Sequence, residues 1–262
     1  MRRCLLGIAI AGSACTSPGT DPDAVEAIRF DGAAYPSITV GDSLRDSLGV
    51  AQRVRAVGLN FKGDEVAGAE FVYSSPDTNL RLNSAGGVFA RSRKTDGSPA
   101  RIFATVGSLQ SVPDSLFTAP RADSIKATVV ADTVFGAQVS RDEVTFTVFG
   151  DTAAGKPKLA VQGWLVSFQL QYRGVLLAPT DTTGRPFAAN VGTRVVPSFV
   201  DTTDGSGRVG RKLVFRTPRT PEDTVFVIAT IRQRKSGSDP IRTQTRVIYR
   251  PGDPPEARVT PP

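Results

Sequence analysis

Apolar and polar residues alternate along most of this chain with a period of two, the repeat of a pleated strand with one buried face. In "GWLVSFQLQY" the period puts Trp164, Val166, Phe168, Leu170 and Tyr172 on one face, and Ser167, Gln169 and Gln171 on the other. "TQTRVIYR" sets Thr245, Val247 and Tyr249 against Gln244, Arg246 and Arg250. "QRVRAV" sets Val54 and Ala56 against Arg53 and Arg55. "DTVFVIATI" is apolar on both faces, as a central strand would be. "AEFVYSS", "LRLNS", "GVFAR" and "RIFATV" continue the series. Each is short, rich in β-branched or aromatic residues, and bounded by Gly, Pro, Asp or Asn. No stretch carries the i, i+3, i+4 stripe of an amphipathic helix. Many short strands without helices predict an all-β fold, a sandwich or a barrel.

The chain has 262 residues, enough for two such blocks of about seven strands each. The pattern divides near "APRAD", residues 119–123, which gives domains at 25–122 and 123–250. The flanks differ in composition. "PGDPPEARVTPP", residues 251–262, is too rich in proline for a helix or a central strand and predicts an extended tail. At the other end "MRRCLLGIAIAGSAC" places Arg2 and Arg3 before a short apolar run, then the small residues Gly12, Ser13 and Ala14. That is the pattern of an export signal, and it is too short to span a membrane. "GSAC" resembles the lipobox of bacterial lipoproteins, with Gly12 where Leu is usual. The resemblance implies that residues 1–14 are a signal peptide, that Cys15 is lipidated, and that residues 15–24 form a tether. Ordinary cleavage after Ala11 or Ala14, leaving a soluble protein, is the other reading.

Cysteine usage bears on both readings. Cys4 and Cys15 are the only cysteines, so a processed chain has no intramolecular disulfide and must fold by packing alone. Acylation would also dispose of a lone exported thiol. Histidine is absent, which removes Ser-His-Asp and Cys-His catalysis and most zinc sites. The formal charge of +7 is modest for this length, and loss of Arg2 and Arg3 would lower it by two. Charges of both signs interleave, as on solvated sheet faces. Nucleic acid is not an expected partner of an exported chain with so few aromatic residues.

Further motifs give the fold a family likeness. The order "VEAIRFDG", "PSITVGDSL", "FVYSSPD", "GGVFA" resembles a group 2 bacterial immunoglobulin-like domain, with Tyr73 where that family usually has Trp and with "RSRKTDGSPA" as an insertion. "VQGWLVSFQL", "FVDTTDGSGRVGRKLVF" and "DTVFVIATI" resemble the group 1, invasin-like domains. These resemblances imply two tandem immunoglobulin-like β-sandwiches following a signal peptide and a short tether. They imply no enzyme and no cofactor. The expected role is a lipoprotein of the cell envelope, anchored to the outer membrane, that acts in recognition or adhesion toward an envelope protein or a glycan. A structural accessory subunit with no soluble ligand is the alternative.

Several residues could carry chemistry. "DGSGRVGRK", residues 204–212, contains G-x-G-x-x-G at Gly205, Gly207 and Gly210. A phosphate-binding loop must open a helix, yet "RVGRKLVF", residues 208–215, alternates like a strand. Arg211 also stands where a P-loop needs Lys, and Lys212, one place late, is followed by Leu213 where Ser or Thr is needed. The glycines are therefore read as a corner between strands. Asp201 and Asp204 could hold calcium, or could cap an Asx-turn without metal; no EF-hand order is present. Arg91, Arg93 and Lys94 of "RSRKTDG" could contact an anionic polymer, or form a solvated loop. Trp164 could be a sugar platform or, in so regular a strand, core.

Overall fold

A computed structural model describes residues 24–129, 131–135, 140–150, 158–178, 185–191, 196–215, 224–235 and 237–250. The leader, Cys15, the tether and the proline-rich tail lie outside these described residues. All regular elements among them are strands.

Nine strands form the first sandwich: β1 (Ala27–Phe30), β2 (Ser37–Thr39), β3 (Ala56–Leu59), β4 (Val72–Ser74), β5 (Leu80–Leu82), β6 (Val88–Ala90), β7 (Ala100–Val106), β8 (Leu109–Gln110) and β9 (Asp114–Ala119). One sheet runs β2-β9-β7-β4, with β8 paired to β7 and β2 parallel to β9. The facing layer is broken into the pairs β1-β3 and β5-β6. Residues 43–53 lie across this break. They bridge to β6 at Ser43–Phe89 and to its approach at Arg53–Gly87, and they fold back on themselves at Arg45–Ala51. Ile38, Leu44, Val54, Val88, Ile102 and Leu116 fill the space between the layers. Tyr73, standing where the family likeness expects Trp, packs against Phe30, and its hydroxyl accepts the Ala56 N–H.

The second sandwich has eleven: β10 (Ala122–Ala127), β11 (Ala131–Phe135), β12 (Ser140–Gly150), β13 (Leu159–Ala160), β14 (Leu165–Tyr172), β15 (Val175–Leu176), β16 (Phe187–Ala189), β17 (Val200–Thr202), β18 (Arg208–Val214), β19 (Thr224–Ile231) and β20 (Ile241–Arg250). One sheet runs β10-β12-β18-β16 and the other β11-β20-β19-β14-β15. The first, second, fifth and fourth principal strands thus share one sheet, and the third, sixth and seventh the other. This is the Greek-key order of immunoglobulin constant domains. The fold is all-β and immunoglobulin-like. The strand segments outnumber the seven expected per block because edges are fragmented: β13, β15 and β17 are short additions, and the opening strand divides between sheets as β10 and β11.

Alternation accounts for the packing. Val166, Phe168 and Leu170 of β14 point inward while Ser167 and Gln169 face water. β20 buries Thr245, Val247 and Tyr249. β19 buries Val225, Val227, Ala229 and Ile231, and half-covers its other face. Immunoglobulin domains often tie their sheets by a disulfide between the second and sixth strands. Here Phe146 of β12 reaches Phe168 of the opposite sheet, ring centroids 5.8 Å apart.

Candidate functional site: a locked junction and exposed arginines

Only Pro120 and Arg121 separate β9 from β10. The sandwiches meet there through a cluster that no local pattern announces. Arg234, after β19, is buried, with its guanidinium 4.0 Å from the ring centroids of both Tyr35 and Trp164. It donates to the Ser37 carbonyl and to Thr39 Oγ1 across the junction. Tyr35 meets Trp164 edge-on at 5.7 Å, and its hydroxyl accepts the Leu165 N–H at 2.7 Å. Trp164 Nε1 donates to the Arg232 carbonyl. Burial pushes the Tyr35 hydroxyl up to about 12, and draws Arg234 down to about 10, where it is still a cation at neutral pH. A planar cation between two aromatic faces suits such a dry site: a desolvated cation–π contact contributes about 2 kcal/mol.

The backbones approach closely beside this cluster. A Cβ on Gly163 would stand 2.9 Å from Phe117, and one on Gly49 would stand 3.0 Å from the Arg234 backbone. Asp42 adds a polar tie, accepting from Arg45 Nε and from Arg121 of the connector at 2.9 Å. Desolvation opposes its ionisation, but the bonds from Arg45 and the Ser43 N–H, with the charges of Arg45 and Arg121, outweigh it and lower the pKa. Trp164 is thus core, at the junction rather than mid-sandwich.

The glycine-rich stretch is a tight turn that carries the chain from β17 of one sheet to β18 of the other. Asp204 N–H donates to the Arg208 carbonyl and Gly207 N–H to the Asp204 carbonyl. Asp204 Oδ1 accepts from the Ser206 and Arg208 N–H groups. Partial burial opposes ionisation of Asp204, and these bonds overcome it, so its pKa is lowered. Gly207 sits at φ +73°, with room for no side chain: a Cβ would meet the Val148 carbonyl oxygen at 2.8 Å. The same arrangement recurs at Asp46–Val50, Asn60–Asp64 and Asn83–Gly87. Each has an Asx side chain capping the turn and a glycine three residues on, at φ between 73° and 87°. This is a turn closed by a left-handed residue. The Asx-x-x-Gly spacing was the available signal for all four.

Asp201 lies apart from the Asp204 turn in its bonding. It pairs with the buried Arg211, which also donates to the Val200 and Gly210 carbonyls and lies over the Phe168 ring. Arg211 thereby fastens β17, on one sheet, to β18 on the other. Among the described residues no group of three metal-ligating side chains converges. Lys94 is held by Asp77 at 2.9 Å and by the Pro99 carbonyl, and its N–H donates to Thr118 Oγ1. Arg91 and Arg93 are exposed and pair with no carboxylate among the described residues. Arg53 and Arg81, which no sequence motif marks as a pair, are likewise exposed and unpaired among those residues, and both line a groove of about 540 Å³.

No family model matches the chain. No curated protein matches it either. Among solved structures, the Yersinia pseudotuberculosis adhesin InvE is 14% identical with a TM-score of 0.33, over 85% of this chain and 58% of InvE. The S-layer protein rSbsC(31-844) is 13% identical with a TM-score of 0.29, over 88% of this chain and 28% of that one. A chimeric titin Z1Z2 is 14% identical with a TM-score of 0.28, over 88% of this chain and all of the other. The chain therefore spans little more than half of InvE and about a quarter of the S-layer chain.

Proposed function

We propose that this protein is a non-enzymatic envelope lipoprotein, anchored through Cys15, whose immunoglobulin-like sandwiches act in recognition at the cell surface. The observation that carries the recognition reading is a set of unpartnered arginines on the first sandwich. Arg53, Arg81, Arg91 and Arg93 are all exposed, and none pairs with a carboxylate among the described residues; Arg53 and Arg81 line one groove, and Arg93 lies toward the junction. A guanidinium with no internal partner is available to an external anion, whereas Lys94, Arg211 and Arg234 are occupied holding the fold. The leader pattern supports export and the "GSAC" motif supports acylation. The interlocked junction favours a second reading, a spacer of an envelope assembly, because it fixes the distance between the ends of the two sandwiches.

Binding of the full chain to cells and to extracted envelope glycans separates the two readings. Recognition predicts saturable binding that falls several-fold in the Arg91→Ala, Arg93→Ala double variant, with the unfolding midpoint unchanged. The spacer predicts cross-links to envelope proteins and no saturable ligand. Metabolic labelling with a fatty acid, lost in Cys15→Ala, tests the anchor.

A further inference from the structure

We propose that the groove lined by Arg53, Arg81, Asn83 and Phe89 is a binding site for a carboxylate-bearing sugar unit of an acidic polysaccharide. The inference rests on the recognition reading and names its ligand class.

The groove arises from strand register. Arg81 of β5 stands directly across from Phe89 of β6. Phe89 is bridged on its other side to Ser43, and Gly87, two residues back, is bridged to Arg53. Positions two apart on a strand share a face, so Arg53, Arg81 and Phe89 project from one surface although 28 residues of chain separate the two arginines. Gly87 makes the floor. It contributes no side chain, and a Cβ there would meet Asn83 Nδ2 at 2.7 Å. The hollow that results, about 540 Å³, falls within the size range of small-ligand sites.

Its chemistry is one-sided. The lining contains two guanidinium groups and no Asp or Glu. Asn83 Oδ1 is engaged by the Ala85 and Gly87 N–H groups, which leaves its amide as a donor. Gln52 Nε2 is engaged by Asp46. Phe89, partly exposed, supplies an apolar wall. Paired guanidinium groups select a carboxylate by forked hydrogen bonds, and an aromatic wall accepts the C–H face of a sugar ring. An extended peptide fits less well. The floor strand is already paired to β5 on one side and to residues 43–53 on the other, so it offers no edge for strand addition within the groove.

The test is calorimetric titration of the full chain with tetragalacturonate, its fully methyl-esterified form, a neutral oligosaccharide and polyglutamate. Saturable binding to tetragalacturonate is expected, and the methyl ester, which removes the charge and caps one carboxylate oxygen with a methyl group, should bind at least roughly tenfold more weakly. Arg53→Ala and Arg81→Ala should each weaken binding by a similar factor. Arg242→Ala, an equal charge loss on the exposed face of β20, should leave it unchanged. Should either alanine variant lose its fold, Arg53→Lys and Arg81→Lys keep the charge and remove the fork, and should still weaken binding. Equal loss with Arg242→Ala, or polyglutamate binding as tightly, would show diffuse attraction and overturn the proposal. Binding to cells that survives unchanged in the Arg53 and Arg81 variants would overturn this site while sparing the recognition reading. Absence of any binding to cells or sugars would overturn both.

Discussion

At the scale of single residues, Arg234 has the most to lose. Its guanidinium fills the space between Tyr35 and Trp164 and satisfies the Ser37 carbonyl. Arg234→Ala should leave a cavity and an unpaired buried acceptor, at a cost of about 3 kcal/mol in chemical denaturation. Arg232→Ala, two residues earlier and exposed, should stay within about 0.5 kcal/mol, because only its carbonyl is used. Trp164 is the single tryptophan of the chain, so its emission should shift to the red in Arg234→Ala and not in Arg232→Ala. The sequence carried half of this. It put Trp164 on a buried face by alternation. It did not indicate Tyr35 or Arg234, because each lies outside any periodic segment. Their meeting depends on how two sandwiches pack, which strand periodicity does not encode.

At the scale of elements, the Asx-capped turns separate the glycines that matter for geometry from those that do not. Gly207 needs its left-handed backbone and abuts a carbonyl, while a Cβ on Gly205 would meet nothing nearer than Gln162 at 3.7 Å. Gly207→Ala should destabilise by about 2 kcal/mol or more and Gly205→Ala by well under about 1 kcal/mol, measured by urea unfolding. A nucleotide-binding loop would tolerate neither in a binding assay. The strands themselves were readable from alternation, β14 and β20 residue by residue. The broken layer of the first sandwich was not. Its pairing runs through isolated bridges of residues 43–53, a segment with no sustained alternation. The convergence of Arg53 with Arg81 was hidden for the same reason, since it exists only once that segment is laid beside β6.

At the scale of the whole molecule, the junction makes the two sandwiches one body, and its polar tie gives that body a limit in acid. The Asp42 carboxylate has a lowered pKa in the folded chain. Its contribution is therefore complete above the ordinary aspartate value near 3.8 and is lost as pH falls through the lowered value. Trp164 emission should hold steady from neutral pH down to that range and then change. In Asp42→Asn the change with acid should be smaller and the neutral-pH stability reduced. Retention of the full acid response in that variant would assign it to other carboxylates, with Asp77 and Asp204, also lowered, as the next to replace.

A connector of two residues also has a mechanical meaning. A long flexible linker would stretch before passing on a pull, as a slack rope does. Pro120 and Arg121 leave no such slack, so a pull along the chain would pass through the covalent backbone from one sandwich to the next, and the Tyr35–Arg234–Trp164 cluster beside it would resist swinging rather than stretching. The cluster is a brace: without it the two halves would stay joined yet be free to swing.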